Sequence, residues 1–159
     1  MLYNSYIFIF LFLPITLFGF HILRRKGHYR LTISWLIAAS LFFYGWWNPI
    51  YLGLLIGSVL FNYAFGFMLL NRPSKLLLFL GIIGNLGALG YFKYGNFFVD
   101  NINALFNNNI ILEQIILPLG ISFFTFQQIT FLVDTYRGKT KEYNFLQYCL
   151  FVTFFPQLI

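Results

Sequence analysis

Leu117 to Gly138 reads LPLGISFFTFQQITFLVDTYRG, apolar enough for a membrane yet carrying Gln127, Gln128, Asp134 and Arg137. It opens on Pro118 and Gly120 and closes on Tyr136, Arg137 and Gly138. Within hydrocarbon, a polar side chain is tolerated only where protein or a water-filled cavity gives it partners. Four such groups within about three helical turns imply a helix that faces the inside of a bundle.

The rest of the chain supplies the bundle. Of its residues, 60% are hydrophobic and 9% charged, and mean hydropathy is +0.77. Soluble domains are nearer 45–50% apolar and about 25% charged, so this is an integral membrane protein. A net charge of +6 in a soluble chain would point to nucleic acid; here topology accounts for the basic residues, and no nucleic-acid partner is expected. The lone Cys149 excludes an intramolecular disulfide and a cysteine metal site; its apolar surroundings predict a small packed hydrophobe.

The first span is predicted over Tyr3 to Leu23, about 21 residues and so ~31 Å long. It has no basic stretch before it and no small-residue cleavage site after it, so it is an anchor, not a secretory leader. Pro14 is expected to kink it. After Arg24-Arg25-Lys26-Gly27-His28-Tyr29-Arg30, the densest charge cluster, a second span runs from Leu31 to about Trp47. Asn48-Pro49 then turns the chain directly into a third span, Ile50 to Leu70. Trp46, Trp47 and Tyr51 around that turn read as an interfacial aromatic belt. The fourth span, Leu76 to about Phe92, carries Gly81, Gly84, Gly87 and Gly90, a stripe for close helix approach. Phe98, Ile102, Leu105 and Phe106 recur at helical spacing among polar residues and predict a separate short amphipathic helix on the outer face. The fifth span is the opening stretch, about Ile115 to Thr135, and a sixth begins near Tyr143. The fold class is therefore all-α, a polytopic transmembrane helical bundle of about five full spans plus the start of a sixth.

Nine of the ten basic residues fall in alternate loops: Arg24, Arg25, Lys26 and Arg30; Arg72 and Lys75; Arg137, Lys139 and Lys141. Only Lys93 lies opposite. Cytoplasmic loops carry the excess of Lys and Arg, so the N-terminus is expected outside, in a multi-pass protein of the cell's inner membrane.

Few residues offer chemistry. His21 and His28 lack a carboxylate or nucleophile at informative spacing. No His/Asp/Glu cluster has metal-ligand spacing, no glycine-rich loop matches a nucleotide motif, and Ser122 in Leu-Gly-Ile-Ser is not a nucleophile elbow. Gln127 and Gln128 either bond a neighbouring helix, for roughly 0.6–2 kcal/mol, or line a pocket. Asp134 and Arg137 are spaced to pair on a helix; alternatively Tyr136 and Arg137 border a cytoplasmic entrance for an anionic donor. Asn62 and Asn85 are further candidates of the same kind.

Leu117-Pro118-Leu119-Gly120-Ile121-Ser122-Phe123-Phe124-Thr125-Phe126-Gln127 with Asp134-Thr135-Tyr136-Arg137-Gly138 resembles the membrane-bound O-acyltransferase family, in its alginate O-acetyltransferase-like branch. Tyr91-Phe92-Lys93-Tyr94, with Asn96-Phe97 and Asp100, agrees with it, as do Phe10-Leu11-Phe12-Leu13-Pro14 and Tyr44-Gly45-Trp46-Trp47. The resemblance implies acyl transfer from a cytoplasmic thioester donor such as acetyl-CoA to hydroxyls of an exported polysaccharide. A further partner implied is an extracytoplasmic acyltransferase on the outer side. No catalytic residue is assigned within the chain, since the family's histidine base lies downstream of this motif and no position here matches it. Residues 1–159 are accordingly expected to be the N-terminal part of a single longer acyltransferase domain, inactive alone, with no bound cofactor or metal. A transport or binding module and a non-catalytic helical scaffold are the competing functions.

Overall fold

The computed structural model describes residues 4–107, 109–111, 113, 115–139 and 144–158. Tyr3, Lys141 and Tyr143, used in the sequence expectations, lie outside that set. The described residues form helices and connecting turns, with no strand among them. A π-helical turn, Phe8–Phe12, leads into α1, Leu13–Arg25. Pro14 stands in the first turn of α1. It brings no N–H, and the wider π-turn ahead of it is a known way for a helix to absorb a local break.

α2, Tyr29–Trp47, and α3, Pro49–Asn71, meet at Asn48. Asn48 Oδ1 accepts from Ile50 N–H at 3.0 Å, and Pro49 occupies the position where a missing N–H costs nothing. The predicted hairpin is there. α4 runs unbroken from Lys75 to Phe106, 32 residues or about 48 Å. The separate amphipathic helix expected after Phe92 is therefore not separate: it is the last part of α4. The polar shift beyond Lys93 brings no proline, and polarity alone does not stop helical hydrogen bonding. Asn107 does stop it, as a left-handed C-cap at φ 50°.

α5 also departs from expectation. It spans Ile121–Tyr136, 16 residues, and Ile115 to Leu119 stay outside it. Gly120 precedes the helix at φ 68°, a left-handed conformation that glycine adopts without steric cost, so the helix cannot extend back through it. α6, Phe145–Thr153, and the short α7, Phe155–Leu158, complete the order.

Among the described residues, three helical stretches are long and apolar enough to cross a membrane: Phe8–Arg25, Pro49–Asn71 and Lys75–Phe106. At about 24 Å, α5 falls short of a hydrocarbon core of roughly 30 Å.

α5 packs on α3, α4 and α6, while α2 joins α1 to α3 and α6. The main core gathers Tyr44, Leu55, Val59, Leu69, Phe124, Leu132 and Val152. A second cluster is aromatic: Phe12 and Phe155 meet edge-on at 5.3 Å, and Phe8 meets Phe43 at 5.5 Å, the geometry ring quadrupoles favour. Cys149 is buried and free, as expected. Only half of the glycine stripe is used. A Cβ on Gly81 would lie 2.8 Å from Leu132 Cδ1, and one on Gly84 2.7 Å from Phe61 Cζ, whereas a Cβ on Gly87 or Gly90 would meet nothing of the other described elements within 4 Å.

Candidate functional site: a buried amide network under a side-chain-held turn

The turn before α5 is built from non-helical backbone, whose polar groups need partners when buried. Four side chains supply them. Tyr44 Oη, from α2, donates to the Leu119 carbonyl at 3.0 Å, and Tyr51 Oη, from α3, donates to the Ile116 carbonyl. On α4, Asn96 Nδ2 donates to the Ile115 carbonyl at 3.1 Å and its Oδ1 accepts from Ile115 N–H at 3.3 Å. About two turns further along α4, Asn103 repeats the exchange with Ile110, at 2.9 and 3.1 Å. Two asparagine amides thus do for this segment what a neighbouring strand would do. Pro118 is among the fully buried side chains and has no N–H to leave orphaned.

Beneath the turn, three helices contribute to one polar cluster. Gln128 on α5 and Asn62 on α3 are completely buried, and Asn85 on α4 is 4% exposed. Asn62 and Asn85 exchange amide hydrogen bonds in both directions, at 2.9 and 2.6 Å. Gln128 Oε1 accepts from Ser58 Oγ at 2.7 Å and from Asn62 Nδ2. Asn62 Nδ2 also donates to the Ser58 carbonyl at 2.9 Å, so its two hydrogens are shared among three acceptors. Asn85 Nδ2 is completed by the Gly81 carbonyl at 2.8 Å. Gln128 Nε2 is buried without a hydrogen-bond partner among the described residues.

Gln127 points to a different neighbour. Its Nε2 donates to Gln157 Oε1 of α7 at 3.0 Å, and its Oε1 has no partner among the described residues. Tyr136 is half-buried against the main core, and Arg137 is exposed at the C-terminal cap of α5. The spacing-based Asp134–Arg137 pair is not formed among the described residues. Arg137 caps α5 with its N–H still bonded to the Val133 carbonyl at 3.0 Å, and the chain turns away at Gly138, φ 73°.

Of the four singled-out positions, then, Gln128 joins Asn62 and Asn85, Gln127 stands alone with Gln157, and Tyr136 and Arg137 lie at the far end of α5. Sequence reasoning passed over Ser58 and did not pair Gln157 with Gln127. The signal for Ser58 was its position one turn before Asn62 on the same helix face. No group of three or more His, Cys, Asp or Glu suited to a metal occurs among the described residues.

A membrane-embedded helical protein with a buried amide network is the class these features define. Several known proteins are similar to the chain over all of its length. It is 41% identical to "Peptidoglycan O-acetyltransferase" of Helicobacter pylori, aligning over 100% of this chain and 36% of that protein. It is 40% and 38% identical to "Probable alginate O-acetylase AlgI" of Pseudomonas syringae and Pseudomonas aeruginosa, over 100% of this chain and 32% of each. Over all of its own length the chain is thus similar to proteins named as O-acetyltransferases and alginate O-acetylases. It spans about a third of the length of these relatives. No family model matches the chain, and no solved structure does.

Proposed function

We propose that this chain forms the N-terminal part of a membrane O-acetyltransferase that modifies an exported cell-surface polysaccharide. The observation that carries the reading is the similarity over the whole of this chain, at 38–41% identity, to proteins named as O-acetyltransferase or O-acetylase. The donor is a cytoplasmic acyl thioester such as acetyl-CoA. In the transfer, a general base takes the proton of an acceptor hydroxyl, the oxygen attacks the thioester carbonyl, and the thiolate leaves and is protonated. That base is a histidine beyond residue 159. His21 and His28 are both exposed and stand apart from the amide network. The acceptor, or an extracytoplasmic acyltransferase that relays the acetyl group to it, approaches from the outer side. α2, and α5 together with residues 115–120 ahead of it, complete the count to about five spans with α6 opening a sixth, in an inner-membrane protein with its N-terminus outside.

In this arrangement the Ser58–Asn62–Asn85–Gln128 cluster is the polar framework that holds α3, α4 and α5 in register around the transfer path. The test is the complete protein expressed in a host whose own wall O-acetyltransferase gene is deleted. Base-labile acetate on the host's surface polysaccharide is the expected result. A complete protein that reaches the membrane, yet yields no acetate from any thioester donor, overturns the proposal.

A further inference from the structure

At the end of the bundle where the basic residues gather, α1, α2 and α6 line a half-open cavity of about 620 Å3. Its polar mouth is made by Arg24 at the end of α1, Tyr29 at the start of α2, and Gln147 on α6. Gln147 Nε2 donates to Tyr29 Oη at 3.2 Å, tying α6 to α2 across that mouth. Its depth is apolar. Phe20 lies about one turn below Arg24 on α1, Leu36 about two turns below Tyr29 on α2, and Leu150 continues the wall on α6. Charge sits at one end and hydrocarbon at the other, along the direction of the helices.

The electrostatics at the mouth carry one sign. Arg25, Lys26 and Arg30 flank Arg24, all four are exposed, and none of the described residues lining the cavity is acidic. The N-terminus of α2 opens here too, and His28 gives it no side-chain cap. The positive end of that helix dipole therefore adds to the basic cluster. A free phosphate would use the mouth and leave the apolar depth empty, and a neutral lipid would use the depth and leave the charge unanswered. Only an anionic amphiphile uses both.

We propose that this cavity binds an anionic phospholipid, its phosphate held at Arg24 and the α2 N-terminus and one acyl chain running down past Phe20, Leu36 and Leu150. Basic pockets between membrane helices recognise acidic headgroups in this way. The site holds α6 against the α1–α2 hairpin and is separate from the amide network.

The intact protein, purified in a mild maltoside detergent and titrated with dioleoyl phosphatidylglycerol or dioleoyl phosphatidylcholine, is read by native mass spectrometry. Selective retention of phosphatidylglycerol is expected. Arg24→Gln lowers it about fivefold, Leu36→Trp lowers it comparably by filling the depth without changing charge, and Lys75→Gln, in another basic loop, leaves it unchanged. Gln147→Leu, at an exposed position, is a milder second variant, expected to weaken retention if Leu36→Trp does not yield folded protein. Equal losses for Arg24→Gln and Lys75→Gln would reduce the effect to diffuse surface charge and overturn the site. So would retention indifferent to both Leu36→Trp and Gln147→Leu, or displacement of the lipid by inorganic phosphate or acetyl-CoA at equal concentration. None of these outcomes depends on acetyl transfer.

Discussion

Replacing Gln128 with leucine removes the acceptor that Ser58 Oγ and Asn62 Nδ2 share, in a place where water cannot substitute. Interhelical hydrogen bonds in membranes are worth roughly 0.6–2 kcal/mol, and an orphaned buried donor costs about 1–3 kcal/mol. Gln128→Leu is therefore expected to lower the thermal midpoint of the detergent-solubilised protein by several degrees while membrane insertion stays normal. Leucine at both Asn62 and Gln128 is expected to be less damaging than the two single changes summed, since it removes both ends of one contact. Strict additivity in that double-mutant cycle would argue that the network is not a unit. Gln127→Leu loses a single bond to Gln157 and is expected to cost less than Gln128→Leu in the same melting assay. Tyr44→Phe, which strips the Leu119 carbonyl of its donor, is predicted to destabilise by about 1 kcal/mol. Sequence spacing flagged Gln127 and Gln128 equally. Adjacent residues on a helix point about 100° apart, and only the placement of α3 and α7 separates their roles.

At the scale of elements, the glycines of α4 make the sharpest contrast. Gly81→Ala drives a methyl group toward Leu132 Cδ1 and is expected to lower the thermal midpoint. Gly87→Ala meets open space and gains helix propensity, by up to about 1 kcal/mol, so its midpoint is expected to hold or rise. A fall of equal size for both would mean that the α4–α5 approach is not what limits Gly81. Ahead of α5, Ile110 and Ile115 are each held by an asparagine of α4. Asn96→Leu removes both of its bonds to Ile115, so amide exchange around Ile115 and Ile116 is expected to speed up with α2 and α3 unaffected. A helix end was legible at Asn48-Pro49, whose residues act on their own backbone, although the expected fifth span ran through Gly120, which the structure places ahead of α5. The length of α4 was not, because a change from apolar to polar composition looks like a boundary and has no power to end a helix.

For the molecule as a whole, the amide network and the aromatic cluster join different sets of helices. Phe8, Phe12, Phe43 and Phe155 bind the N-terminal helix to α7, while the amides bind α3, α4 and α5. Residues 1–159 expressed alone are expected to insert in the membrane and to transfer no acetyl group, because the amide network contains hydrogen-bonding groups and no base. Turnover of acetyl-CoA by the purified fragment would overturn this. The acyltransferase kinship was readable from Leu117–Gly138, whose Pro118 and Gly120 shape the turn while Gln128 reaches the network. Both functions depend on residue identity more than on packing volume, which leaves a trace in sequence.

By itself, the sequence determined that the protein is helical and membrane-embedded, where its basic residues collect, and which backbone positions must turn. These follow from transfer free energies and local backbone chemistry, which act residue by residue. Only the tertiary structure decided that Asn62 meets Gln128 across 66 positions of chain, that α5 starts at Ile121 beneath a turn held by Tyr44, Tyr51 and Asn96, and that α1, α2 and α6 line a charged-mouthed cavity. Those outcomes depend on how helices distant in sequence settle against one another, and no local pattern of residues encodes that register.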